Sequence, residues 1–176
     1  MEFFDVIQNR HSVRAYTDEQ IPEELLGRIL EAARIAPSAS NKQPWKLVVV
    51  SDQNKREAIA ASGTYGKFLS KCPIIIIGLG DPSIAPKWHI VDTTIALEHI
   101  VLAATAEGLG SCWIGSFDEV TVKTLIDAPE ALKAVAIIAL GYEKKSLDVL
   151  GAANKLLRPS KKLDELVSRE TFSTSW

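Results

Sequence analysis

The sequence predicts a layered domain of helices packed on a few strands, of either the α/β or the α+β class. Apolar residues recur at i, i+3 and i+4 over 22–35, which is typical of a helix with one buried face. A continuous β-branched run within 73–79 favours a strand that is covered on both faces. The 176 residues suffice for one domain, and we find no repeat or linker that divides them.

The other predicted elements alternate along the chain. Helical patterns are expected over 1–9, 53–61, 92–107, 118–126 and 163–167, and strands over 46–50, 111–117 and 135–141. The helix at 92–107 is apolar around most of its girth, which indicates a place in the core or in an interface. Gly108 suits the end of that helix. Residues 81–89, which include Trp88 and His89, are expected to be irregular.

Composition and charge exclude several functional classes. The formal net charge is −2, and the 20 basic and 22 acidic residues are interleaved, so we expect no nucleic-acid binding. Neither a secretory leader pattern nor an apolar run of membrane-spanning length is present. Two cysteines, Cys72 and Cys112, do not form a disulfide framework. We therefore expect a cytoplasmic protein that does not bind membranes.

The segment Arg10-His11-Ser12-Val13-Arg14 places cations and a hydroxyl just after an expected helix. Two guanidinium groups match phosphate geometry, and a serine hydroxyl can donate to a phosphate or sugar oxygen. In a chain with little net charge, this pattern favours a specific small anion. The alternative is a solvated surface, because two arginines at i and i+4 are common there.

Two further segments have unusual compositions. The loop at 37–45 combines two hydroxyls and two amides, which suits recognition of a heterocycle edge, or an ordinary helix-to-strand turn. The run at 108–116 has glycines on both sides of a strand, which would permit a flat ligand to approach the backbone. It does not match a dinucleotide fingerprint or a phosphate loop. The alternative there is a helix stop, with Trp113 in the core.

Other candidate catalytic or metal-binding residues lack a supporting pattern. Cys112 lies in an apolar strand, where a small buried side chain is the expected outcome. The two cysteines and the three histidines do not show metal-ligand spacing, so we expect no metal site. His99 lies on the apolar helix, which favours a core or interface histidine. No hydrolase motif is present.

Together, these segments and the run Leu140-Gly141-Tyr142 resemble the nitroreductase family. Their order and spacing agree from the first segment to the basic region around 158–166, so the resemblance covers nearly the whole chain. It implies an α+β fold with a central, mostly antiparallel sheet flanked by helices, and a single FMN-binding domain over 1–176. It also implies an intertwined homodimer with non-covalent FMN at the subunit interface.

The resemblance assigns the first two segments to FMN. The phosphate and the ribityl chain would be held by Arg10, His11, Ser12 and Arg14. The flavin of the other subunit would be reached by the loop that contains Pro37, Ser38, Ser40, Asn41 and Gln43, with the glutamine supporting the loop. The family more often has arginine at the position of the histidine, which here would act through its backbone or its ring.

The resemblance assigns the flavin ring to the third segment. Trp113, Ile114 and Gly115 would line the ring, with a backbone N–H facing its N5 atom. The pyrimidine end would be contacted by Thr64 and Lys67, which resemble family residues at that position. The family also has a C-terminal basic pair, and here either Arg158 or Lys161 would serve the phosphate.

The implied activity is ping-pong hydride transfer from NADH or NADPH to FMN and then to an electron-poor acceptor, such as a nitroaromatic or a quinone. No acid–base side chain is required, which agrees with the lack of a catalytic triad motif. One alternative is a specialised flavin reaction, such as reductive dehalogenation or desaturation, which the short 81–89 insertion disfavours. A second is a non-catalytic FMN-binding or storage protein. A structural interaction module fits the polar loop least well.

Overall fold

Four strands form one antiparallel sheet at the centre of the chain. They are β1 (Trp45–Val50), β2 (Ile74–Gly80), β3 (Gly110–Ile114) and β4 (Lys133–Gly141). The sheet order is β1-β2-β4-β3, and each neighbouring pair is antiparallel. The computed structural model describes residues 1–63, 67–144, 160–172 and 174, without the Lys67 side chain. This topology confirms the expected antiparallel sheet and selects α+β over α/β.

The described part of the chain contains six α-helices. They are α1 (Phe3–Asn9), α2 (Glu23–Arg34), α3 (Gln53–Ala61), α4 (His89–Ala106), α5 (Glu119–Leu125) and α6 (Leu163–Leu166). Asp52 and Asp118 cap α3 and α5, each by accepting a backbone N–H at 2.8 Å. Gly108 has a φ of +80°, which confirms the expected stop after α4.

The core lies on both faces of the sheet. Alternate side chains of β2 contribute to two clusters, Ile74 and Ile76 to one and Ile75 and Ile77 to the other. The first cluster includes residues of α2 and α4, and the second includes residues of α3 and α5. The β-branched run is therefore covered on both faces, as its composition predicts.

Several expected boundaries are wrong by a few residues. The third strand ends at Ile114 rather than at 117, because the chain leaves the sheet there and bends at Phe117, just before the cap of α5. The bend is held by the Asp118 N–H, which donates to the Ser62 carbonyl at 3.0 Å. The expected 92–107 helix begins three residues earlier, at His89. The expected 1–9 helix begins at 3.

Contacts group the chain into two compact units, Met1–Lys145 and Ser146–Trp176. In the second unit, the Glu165 carboxylate accepts the Lys162 N–H at 3.1 Å and thereby caps α6. The single domain over 1–176 stays a prediction. Among the helices that the structure describes, none has the length and apolar composition to cross a membrane.

Gly110 is required for a close contact between β3 and the segment that follows α1. A Cβ built on Gly110 would lie 2.7 Å from Val13 Cγ2 and 2.9 Å from Val13 Cβ. Val13 is buried, with 2% of its surface exposed. The sequence leaves two explanations open for the glycines beside this strand, the approach of a flat ligand or a helix stop, and for Gly110 the structure shows a close contact with Val13. Its space is filled by Val13.

We predict that Gly110→Ala lowers the free energy of unfolding by about 1–3 kcal/mol, because Val13 must move. Gly27→Ala is the control: a Cβ there meets nothing within 4 Å in α2. It should raise stability by about 0.5–1 kcal/mol, since alanine favours a helix over glycine. Urea denaturation of the three proteins measures both effects. A Gly110→Ala variant as stable as the wild type would contradict the packing argument.

Candidate functional site

The cationic segment runs as extended chain beside β3. Ser12 forms a parallel bridge with Ser111, and the Val13 N–H donates to the Ser111 carbonyl at 2.8 Å. Arg10, Ser12 and Arg14 are half-buried, and Val13 between them is buried. The structure thereby brings the first and third sequence segments together.

Additional cations surround Arg14. Arg14 lines a groove of about 530 Å³ with Lys71 and Lys144, and Asp18 is the acidic residue in its lining. The Arg14 Nη1 donates to the Ser12 carbonyl at 3.4 Å. Both lysines were missed from the sequence because Lys71 is 57 residues and Lys144 is 130 residues away from Arg14 in the numbering. Three cations around one groove favour an anionic ligand.

His11 is held by two acceptors rather than left open for a ligand. Its Nδ1 lies 2.8 Å from the Asn9 carbonyl oxygen, and its Nε2 lies 3.1 and 3.2 Å from the two Glu143 carboxylate oxygens. The Asn9 carbonyl and the Glu143 carboxylate raise the pKa of His11 above 6.5. Both ring nitrogens face acceptors, so the geometry suits the imidazolium form.

The loop at 38–43 has a preset, strained backbone. Ser40, Asn41 and Gln43 have φ of 53°, 54° and 47°, in the left-handed region that favours glycine. Ser38 Oγ accepts the Gln43 N–H at 2.9 Å, and Gln43 Nε2 donates to Asn41 Oδ1 at 3.0 Å. Such conformations persist only where the surroundings enforce them, and they cluster at ligand sites. The expected support of the loop by Gln43 agrees with these bonds.

A buried carboxylate fixes this loop to α4. Asp92 is 2% exposed, and its two oxygens accept the Ala39 N–H at 3.2 and 3.3 Å. The sequence reading did not identify Asp92 as part of the site. The sequence did contain a clue, because Asp92 is one of two carboxylates in a largely apolar helix. A carboxylate is rarely buried without a hydrogen-bond partner. Asp92 therefore joins the helix start to the loop.

The end of β3 offers backbone and space rather than side chains. The Trp113 indole packs against the core, and its Nε1 donates to Glu98 Oε2 at 3.1 Å. Ile114 is buried in the second cluster. A Cβ built on Gly115 would meet nothing within 4 Å. The Trp113 side chain therefore packs in the core, as the alternative interpretation of the sequence expects. A ligand at this position would contact the strand backbone.

The remaining candidate residues have separate outcomes. Pro37 is exposed ahead of the loop. Thr64, Arg158 and the Lys67 side chain lie outside the described residues, and Lys161 is an exposed residue of the second unit. Cys72 and Cys112 are both buried, and neither forms a disulfide. His99 Nδ1 lies 3.0 Å from the Ala32 carbonyl oxygen, so the core reading of this histidine agrees with its contacts.

We predict a pH-dependent contribution of the His11–Glu143 pair to stability. Because the folded-state pKa of His11 is raised above 6.5, the pair stabilises the fold fully below pH 6.5, and this contribution is lost as pH rises through the raised pKa. The melting temperature of Glu143→Gln should therefore lie below that of the wild type at about pH 6 and converge with it by about pH 9. The difference will be small, since 60% of the His11 side chain is exposed.

Thermal melts in matched buffers measure this difference. A His11→Ala variant, and the double variant with Glu143→Gln, separate the pair from other effects of each change. A gap between wild type and Glu143→Gln that does not vary with pH would contradict the assignment to His11.

Comparison with known proteins places the chain in one family. The model of the nitroreductase family matches residues 7–64 and 61–142. An Archaeoglobus fulgidus protein, provisionally named an NADH dehydrogenase/NAD(P)H nitroreductase, is 33% identical over 88% of this chain and 92% of its own length. A nitroreductase family protein from Clostridium novyi NT is 32% identical, covers 100% of this chain and 97% of its own, and has a TM-score of 0.79.

A structure named as an FMN-dependent nitroreductase from Clostridium difficile R20291 is also similar. It is 26% identical, with 96% of this chain and 99% of that chain covered, and its TM-score is 0.82. The family match spans more than half of the chain and includes both the cationic segment and the loop. The chain therefore belongs to the nitroreductase family.

Proposed function

We propose that the chain binds FMN non-covalently and transfers hydride, in ping-pong order, from NADH or NADPH to a nitroaromatic, quinone or similar electron-poor acceptor. Family membership makes it an NAD(P)H-dependent flavin oxidoreductase in general terms. We further propose the cofactor contacts given below, the ping-pong order of reaction, the acceptor class and a cytoplasmic location. The observation that carries the proposal is the bridge between Ser12 and Ser111, which joins the Arg10–Arg14 segment to β3 and so brings two sequence segments assigned to FMN together.

The residues of the described site fit FMN. Arg10 and Arg14 supply charged donors for a phosphate, and Ser12 supplies a hydroxyl for the phosphate or the ribityl chain. The open space at Gly115 admits a flat ring against the backbone of β3. Within the described ranges no acceptor engages Asn41 Nδ2, which leaves this amide available to a heterocycle.

FMN, when bound, supplies the redox chemistry by carrying the hydride between donor and acceptor. The chain would orient it: the arginines would hold the phosphate end, and the packing of the Trp113 and Ile114 side chains against the core would keep the strand backbone rigid beside the ring. We assign Thr64 and Lys67 to the pyrimidine end, where a cation would stabilise negative charge. Arg158 and Lys161 remain the two proposals for a further phosphate contact.

We also propose a homodimer in which the loop at 38–43 of one subunit reaches the FMN of the other. Apolar side chains on α1 and α4 are exposed: Phe3 by 64%, Phe4 by 72%, Ile7 by 44%, and Ile90 and Val91 by 45% each. Exposed apolar side chains that form a patch are typical of an interaction surface. A second copy would cover them and bring its own loop to the site.

We predict that the purified chain is yellow and that its flavin bands bleach anaerobically with NADH or NADPH. Arg10→Ala should weaken FMN binding by about 10–100-fold, since a charged hydrogen bond to the phosphate is lost. Arg34→Ala, which removes an exposed ion pair with Glu31 in α2, is the control. Equilibrium dialysis measures FMN affinity, and absorption spectra follow reduction.

Each arm of this experiment has a defined contrary outcome. Flavin that stays oxidised with both donors would contradict the activity. Full FMN occupancy in Arg10→Ala and in Arg14→Ala would contradict the assigned phosphate contacts. Steady NAD(P)H oxidation with a quinone indicates an enzyme, whereas bound FMN without turnover would favour a storage protein.

We predict that Phe4→Glu shifts the protein from dimer to monomer and lowers its FMN content, because a charge would be buried in the interface. Val120→Glu is the matched control, since Val120 lies on α5 with the same exposed fraction of 72%. Light scattering coupled to size exclusion gives the mass of each protein. A monomeric wild type with full FMN occupancy would contradict the shared site.

A further inference from the structure

A groove of about 380 Å³ lies on the loop at 38–43, between that loop and the turn that leads into α4. Ser40 and Lys42 line it from the loop, and Pro86, Lys87 and Trp88 line it from the turn. Trp88 belongs to the segment 81–89, for which the sequence predicts an irregular structure and no specific role. The volume is within the range of small-molecule sites, roughly 300–1,000 Å³.

The charge of the groove is positive. Lys42 and Lys87 contribute ammonium groups from the two walls, and its described lining contains no acidic residue. The two acids nearest in sequence are hydrogen-bonded and do not line the groove. The Asp81 carboxylate accepts the Ser83 N–H at 2.8 Å and the Ser83 hydroxyl at 2.6 Å, and Asp92, buried behind the lining residue Ala39, accepts the Ala39 N–H. A negative ligand would therefore meet two cations and no carboxylate in the described lining.

The groove also presents an aromatic surface. Trp88 is 53% exposed, whereas the other described tryptophans, Trp45 and Trp113, are partly buried and pack against the core. An exposed indole provides a flat apolar face on which another aromatic ring can stack. Pro86 adds a second rigid apolar side chain to the same lining. The combination suits a planar aromatic molecule that carries an anionic group.

The first turn of α4 fixes the position of the loop relative to the turn on the other side of the groove. Asp92, in the first turn of α4, binds the Ala39 N–H, and Trp88 immediately precedes α4. The Trp88 and His89 N–H groups both donate to the Ala85 carbonyl, at 3.2 and 2.9 Å, which fixes the turn. The two walls therefore share a rigid base, and ligand contacts on one wall are aligned with the other.

We propose that this groove binds planar aromatic acceptors bearing a sulfonate or carboxylate group, and that Lys42, Lys87 and Trp88 thereby set acceptor specificity. The inference rests on the proposed function, because it places acceptor recognition beside the loop assigned to FMN. The lysines select the negative group, and the indole supports the ring.

Steady-state kinetics of the holoprotein with two quinones of similar size test the charge term. 1,4-Naphthoquinone-2-sulfonate is the anionic acceptor, and 2-methyl-1,4-naphthoquinone is the neutral one. The double variant Lys42→Gln/Lys87→Gln should raise KM for the sulfonate about tenfold and leave KM for the neutral quinone within about twofold. Lys46→Gln/Lys55→Gln, which removes two exposed lysines outside the groove, is the control.

Equilibrium binding provides a readout that does not depend on turnover. Titration of the oxidised protein with the sulfonate should quench tryptophan fluorescence saturably, and Trp88→Ala should remove that quenching while Trp88→Phe retains affinity. Binding should weaken as salt is raised. Equal loss for both quinones in the lysine variant, unchanged quenching in Trp88→Ala, or a raised KM for NADPH instead would overturn the inference.

Failure of the proposed function is distinguishable from failure of this inference. A protein that binds no FMN, or whose flavin is not reduced by NADH or NADPH, contradicts the function, and the titration still decides whether the groove binds the sulfonate. A protein that turns over both quinones with unchanged kinetics in all groove variants contradicts the inference alone.

Discussion

The candidate site depends on one apolar contact, the packing of Val13 against Gly110. Val13 is 2% exposed and occupies the volume that a Cβ on residue 110 would need, while the Tyr16 hydroxyl donates to its carbonyl at 2.6 Å. This packing and the bridge between Ser12 and Ser111 fix the backbone of the cationic segment beside β3. Hydrophobic packing thus positions the backbone that carries Ser12 and Arg14.

Helix α4 connects the two parts of the site. Asp92, in its first turn, binds the loop, and its C-terminal end leads through Gly108 into the strand beside the cationic segment. Asp92 and Ala104, near the two ends of α4, are separated by roughly 18 Å along the helix axis. Glu98 lies midway between them and accepts the Trp113 indole N–H. The carboxylates on this apolar helix therefore hold the loop and the strand at fixed places, which is what a preorganised cofactor site requires.

The sequence predicts most of the fold because burial on one face leaves a periodic apolar pattern, as in α2, and burial on both faces leaves a continuous apolar run, as in β2. It predicts less of the site's support. Glu143 meets His11 across 132 positions, and Asp92 meets Ala39 across 53, and no local pattern encodes such pairs. The predicted end of β3 is wrong for a similar reason. Phe117 is apolar like the strand residues before it, but it lies after the strand has ended and packs against the second cluster from there. The sequence identifies the types of residue in the site, whereas the contacts between them can be identified only from the folded structure.

In the proposed dimer, assembly and cofactor binding would be linked through α1. This helix has 7 residues and one buried side chain, Val6, and a helix of that length is marginal in water without tertiary packing. It leads directly into Arg10, so the same covering that would stabilise Phe3 and Phe4 in the proposed dimer would also order the base of the cationic segment. A partner subunit would then favour FMN binding without contacting the phosphate, and by linkage bound FMN would favour the dimer by the same free energy.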